Sequence, residues 1–209
     1  CGDIAPETVA SVVDKAIPES FCAVEVDRQL ADEPRSVNKP VTECEMAVSK
    51  PIFTIGVKDP VVLSDGHERI VRYAAMSILC DVIFSRSGEL YNEMFEQGMI
   101  SPDFSCSYSS SETFAFTAIS GDADQPLAVL EHIKDYIRAL AERGISAEDF
   151  ERSRRVLYSD YVKDFDSTEE IANNMIDFIM EGADLLEYGE ILTSVTLSDV
   201  NQLLVTAFE

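Results

Sequence analysis

Residues 65–100 read DGHERIVRYAAMSILCDVIFSRSGELYNEMFEQGMI, and the fold is decided there. Asp65 and Glu68 have the spacing of a capping box, in which each side chain satisfies an otherwise unpaired backbone N–H. Ile70, Ala74, Ile78 and Val82 recur at helical spacing, and Val71, Ala75, Leu79 and Ile83 make a second stripe beside them. A helix that apolar is buried on more than one side, so residues 66–83 predict the central helix of a domain. Ser87 suits the cap of a second helix running from Gly88 to about Gln97. Leu90, Tyr91, Met94 and Phe95 would share its apolar face, and Gly98 fits the left-handed position that ends many helices.

Strands flank this pair. Cys44, Met46 and Val48 alternate with polar or small neighbours, and Phe53, Ile55 and Val57 do the same, so two strands are expected upstream. Downstream, Phe104, Cys106 and Tyr108 alternate, as do Phe114 and Phe116, with Ser-Ser-Ser-Glu between them; a hairpin is expected. From residue 124 the chain reads as helical to its end. Leu127, Leu130, Ile133, Ile137 and Leu140 form a stripe that stops at Gly144. Capping spacing then recurs at Ser146–Asp149, Ser167–Glu170, Asp184–Glu187 and Thr196–Asp199. Strands cluster and helices cluster, which predicts an α+β fold of two layers: an antiparallel or mixed sheet covered by helices.

The N-terminal stretch differs. Val9, Val12, Val13, Ala16 and Ile17 share one helical face between Pro6 and Pro18, and residues 21–26 suit a strand. Residues 27–40 are polar, contain two prolines and lack periodicity, as in a linker. The expected division is therefore residues 1–40 as the end of a preceding domain plus linker, and residues 41–209 as the α+β domain.

The chain has 209 residues and a formal charge of −23. That charge repels nucleic acid and anionic membrane surfaces and attracts cationic peptides. No apolar run approaches the roughly 20 residues that span a bilayer. Five cysteines occur without a CxxC pair, and the pattern reads as buried, reduced thiols of a cytoplasmic protein.

Chemistry is sparse. The two histidines, His67 and His132, cannot form the paired i, i+4 ligands of a helical zinc site. No GxSxG elbow, P-loop or GxGxxG fingerprint occurs. The residues alone give no catalytic constellation and no metal set. A non-catalytic part of a larger enzyme and an interaction module both remain open.

Several phrases resemble the insulinase/pitrilysin-like zinc metallopeptidases, the inverzincins, and among them the bacterial processing-protease-like members. CGDIAPETVASVVDKAI is similar to the end of one of their domains, and KPIFTIGVKD to the first long strand of the next. ILCDVIFSRSGELYNEMFEQGMI resembles that domain's helix–turn–helix. FAFTAISGD, GISAEDFERSRR, IANNM and LTSVTLSDVNQLL resemble its later strand and helices. The resemblance covers nearly the whole chain and implies the C-terminal, zinc-free half of such an enzyme, with the processing-peptidase-like half fold. It further implies a homologous N-terminal half or partner subunit carrying the zinc, and a peptide substrate held between the halves. Many relatives place a substrate-binding Arg where this chain has Phe95, and a Tyr near Phe104. Phe95, Phe104 and Tyr108 are therefore the candidate substrate-binding residues, Tyr108 only if the strand register allows it. The departure implies either a different mode of substrate binding or a degenerate, non-proteolytic scaffold.

Overall fold

The structure, a computed structural model, describes residues 2–22, 24, 25 and 34–208. A three-stranded antiparallel sheet is formed by β1 (Ile52–Lys58), β2 (Ser105–Ser110) and β3 (Ala115–Asp122), in the order β1-β3-β2. Ile55 opposes Ile119, which opposes Cys106, so these three residues form one rung. Along β3, Ala115, Thr117, Ile119 and Gly121 are buried while their neighbours are not. One face of the sheet therefore meets the helices, as period-two alternation demands.

Helix α2 (Gly66–Phe84) lies on that face and contributes ten buried residues, among them Met76, Ile78, Leu79 and Ile83. It packs against β2 and against α3 (Glu89–Glu96), α5 (Ala147–Asp164), α7 (Tyr188–Ser194) and α8 (Leu197–Thr206). Helix α4 (Pro126–Arg143) and helix α6 (Thr168–Met180) complete the layer. Helix α1 (Pro6–Ala16) buries no residue. No described helix is long and apolar enough to cross a membrane.

The capping pattern holds in detail. Asp65, Ser146 and Ser167 accept from the backbone N–H groups of Glu68, Asp149 and Glu170. Thr196 and Asp199 complete a reciprocal box. Asp184 accepts from Leu186, not Glu187, because a short 3-10 turn at Leu185–Glu187 precedes α7.

Five local expectations are corrected. Residues 41–50 form no strand, and Cys44, Met46 and Val48 are exposed. Alternation specifies a face, but a strand also needs a hydrogen-bonding neighbour, and this segment has none among the described residues. Of the strand expected at 21–26, residues 21, 22, 24 and 25 are irregular, and residues 23 and 26 lie outside the described set, as do 27–33 of the expected linker. Ser87 does not cap α3; Gly88 holds that position, and the Ser87 hydroxyl meets that of Ser85 at 3.1 Å. On α4 the buried positions are Val129, Ile133 and Leu140, while Leu127 is exposed, so the stripe starts one residue off phase. The thiols divide: Cys80 is buried and Cys106 partly so, but Cys22 and Cys44 are exposed.

Arg69 is only 5% exposed and joins the two ends of the helical layer. Its Nε donates to Glu181 Oε2 at 3.0 Å, its Nη2 to the Glu181 carbonyl at 2.6 Å, and its Nη1 to the Leu63 carbonyl at 2.9 Å. Gly66 lies directly against this turn. A Cβ there would sit 2.7 Å from the Gly182 carbonyl carbon. The close approach fixes glycine at the first residue of α2.

Candidate functional site: a groove beside β1

A groove of about 1590 Å³ opens where β1 ends. Val57 and Lys58 of β1, Val61 of the following loop, Val71 and Arg72 of α2, Phe114 beside β3 and Leu203 of α8 contribute to its wall. Because β1 is the outer strand of the described sheet, one of its edges has no strand partner there. Segment 34–35 lies at the rim. Lys58 Nζ donates to the Pro34 carbonyl at 2.7 Å, and Arg35 donates to the Pro60 carbonyl.

The floor of the groove carries a buried polar network. Asp59 accepts from Arg72 Nε at 2.8 Å and from Arg72 Nη2 at 2.5 Å, a bidentate pair. The Tyr108 hydroxyl donates to Asp59 Oδ2 at 2.7 Å, and the Val61 N–H to Oδ1 at 2.8 Å. Side-chain exposure is 14% for Arg72 and 1% for Asp59. Burial pushes the Asp59 carboxyl up, but the Arg72 and Tyr108 bonds outweigh it and hold the group below its ordinary value of 3.8. Burial and the charge of Asp59 push the Tyr108 phenol well up, so it stays a neutral donor.

The structure separates the three residues singled out in the sequence. Phe95 is 45% exposed and stacks on Tyr91, with ring centroids 5.7 Å apart. It does not share the buried face of Leu90, Tyr91 and Met94. Phe104, 4% exposed, is a core residue between Phe53, Phe84 and Tyr91. Tyr108 lies four residues further along the chain, facing Tyr73, with its hydroxyl engaged by Asp59. Phe95 and Phe104 thus meet through Tyr91, and Tyr108 lies buried behind the groove, reaching it only through Asp59.

Asp59 and Arg72 escaped the sequence reading. A signal existed for the arginine: it sits in a helix apolar on two stripes, where a charge must find a buried partner. Nothing marks Asp59 as that partner, since the contact spans 13 residues of irregular and helical chain.

The donor chemistry for a metal is missing among the described residues. No three His, Cys, Asp or Glu side chains converge there. His67 on α2 faces Glu187 at 3.9 Å, and His132 on α4 faces Glu93 at 3.5 Å, so each histidine has its own carboxylate and the two do not share a site. A zinc ion does not fit these residues.

The family model for the peptidase M16 inactive domain matches residues 1–157. The chain belongs to this family. YmfH of Bacillus subtilis (strain 168), named an uncharacterized zinc protease, is 27% identical over 180 residues, covering 86% of this chain and 42% of YmfH. A protein of Alicyclobacillus acidocaldarius described as an M16-like peptidase shares the fold with a TM-score of 0.89 at 22% identity, over 100% of this chain and 50% of that one. The peptidase M16 inactive domain from Pseudomonas fluorescens gives 0.71 at 14% identity, over 100% and 50%. This M16 inactive domain therefore spans about half the length of the relatives it matches.

Proposed function

We propose that this M16 inactive domain is the C-terminal, zinc-free half of a zinc metallopeptidase of the bacterial processing-protease-like subgroup. In this reading it closes the chamber and helps hold an extended peptide substrate, while a homologous N-terminal half or partner subunit supplies zinc and the hydrolytic step. The family match over residues 1–157 carries the reading. We assign residues 1–40 to the end of a preceding homologous domain plus linker, and residues 41–209 to the C-terminal α+β domain. The unburied apolar face of α1 supports that division, since such a face suits packing against a neighbouring domain. Exposed free thiols at Cys22 and Cys44 favour a reducing compartment, the cytoplasm.

The groove beside β1 supports peptide binding. An extended peptide adds to an unpaired strand edge through main-chain hydrogen bonds, and alternate side chains fill the flanking apolar pockets. Val57, Val61, Val71 and Phe114 provide such walls. Tyr108 contributes by holding Asp59, and Phe95 offers an exposed ring away from the groove.

A second reading is a non-proteolytic scaffold or partner subunit of an active homologue. Phe95 standing where many relatives have a substrate-binding Arg favours it, and so does the burial of Phe104 in the core. The test uses the purified full-length protein and an internally quenched peptide. Chelator-sensitive cleavage by that protein alone, with KM raised by Val71→Glu and kcat retained, supports the first reading and eliminates the second. Cleavage that appears only when a separate homologue bearing His-x-x-Glu-His is added, with a KM that Val71→Glu leaves unchanged, supports the second reading and eliminates the first.

A further inference from the structure

We infer that the outer face of α6 docks a cationic amphipathic helix. The helix has 13 residues, none of them buried. Ala172, Met175, Ile176 and Ile179 follow the i, i+3, i+4, i+7 spacing of one helical stripe, and Met180 extends it. Exposure reaches 59% at Ile176, 68% at Ile179 and 69% at Met180. Ile171 and Phe178 adjoin the stripe beside Met175, on the edge where the Phe178 ring meets Tyr188 at 5.3 Å. The helix thus holds to the domain by one edge of its apolar arc and shows the rest of that arc to water. Scattered exposed apolar residues need no explanation, but a contiguous stripe marks an interaction surface. Two of its members are methionines, whose flexible thioethers adapt to the shape of a partner helix.

Charge selects the partner. After Lys163 the chain contains no Lys, Arg or His, and residues 164–190 contain nine Asp and Glu. Glu181 is engaged by Arg69, and Glu187 faces His67. Glu169, Glu170 and Asp177 border the stripe and pair with no cation among the described residues. A partner helix with a matching apolar stripe and flanking Lys or Arg satisfies both features at once. A second copy of this chain, with its own acidic rim and net charge of −23, is repelled. The inference stands independently of the peptidase reading, since it uses neither the groove nor the family.

The test titrates the purified full-length protein into a labelled Leu/Lys amphipathic peptide long enough for about four turns, read by fluorescence anisotropy. Two control peptides are used: one of the same composition scrambled to destroy the stripe, and one with Glu in place of Lys. The expected result is saturable binding of the Leu/Lys helix alone, weakening as NaCl screens the charges. The Ile176→Asn/Ile179→Asn variant weakens it roughly tenfold or more, a loss of about 1.4 kcal/mol. Because no α6 residue is buried, that variant keeps its circular dichroism. A second variant, Glu169→Gln/Glu170→Gln/Asp177→Asn, keeps the stripe and loses most of the salt dependence. Four results overturn the inference: no binding; equal binding of the scrambled peptide; binding untouched by the stripe variant; or sedimentation showing that the stripe variant dissociates a self-dimer.

Discussion

Replacing Arg72 with Met tests the polar floor of the groove. The substitution keeps the aliphatic stem and removes the guanidinium from a carboxylate whose side chain is 1% exposed. Asp59 then retains two of its four donors, the Tyr108 hydroxyl at 2.7 Å and the Val61 N–H at 2.8 Å. Breaking a buried ion pair from one side costs about 3–5 kcal/mol, and the two surviving bonds put this case near 3. For a chain of this size that corresponds to a fall in Tm of about 6–12 °C. The pH dependence gives a second, sharper readout. In the parent protein the folded-state pKa of Asp59 is depressed below 3.8, so its contribution is present above that pH and is lost as pH falls through the folded value. Without Arg72, burial is opposed by fewer bonds and the folded-state pKa rises, so protonation relieves the variant as the solution is acidified. Urea unfolding by circular dichroism at about pH 7.5 and again near pH 4.5 is expected to show a deficit that shrinks at the lower pH. Adding Asp59→Asn to the Arg72→Met variant recovers most of the loss at neutral pH. A neutral-pH deficit below about 1 kcal/mol, or one of equal size at both pH values, refutes the reasoning.

Asp81 on α2 is raised above 3.8 chiefly by burial, although Ser153 and Arg152 pull the other way. A raised folded-state value means stability that is lost as pH rises through it, so Asp81→Asn is expected to raise Tm at pH 7, with a gain that fades towards acid; a lower Tm at pH 7 contradicts this. Gly66→Ala places a methyl against the Glu181–Gly182 turn, and overpacking of that kind costs about 1–3 kcal/mol in a urea titration, against a few tenths of stabilisation if the turn yields freely.

The parts of this fold that could be read from sequence are those decided within a few residues of chain. Helix α2 announced itself because Asp65, the two apolar stripes and the following turn all agree within 20 residues. The caps at Ser146, Ser167 and Thr196 formed as spaced because the donor and acceptor are three residues apart. What could not be read depends on distant company. Residues 44–48 alternate as a strand does but find no neighbour among the described residues. Phe95 has the spacing of Leu90, Tyr91 and Met94 but falls at the margin of their face, where the neighbouring layer ends. The Asp59–Arg72–Tyr108 network joins the end of β1, the first half of α2 and the middle of β2, and no spacing rule encodes a meeting of three elements.

Arg69 fastens the turn that ends α6, and the rest of the helix is held lightly, by Phe178 on Tyr188 and by Asn174 on Asp164. Lifting it from Ser167 onward frees no buried side chain of its own, whereas α2 carries ten. The two helices therefore belong to different cooperative units, and their amide protons exchange by different routes. Those of α6 escape through a local opening of small free energy that ends at the Arg69 anchor, and those of α2 only when the whole domain unfolds.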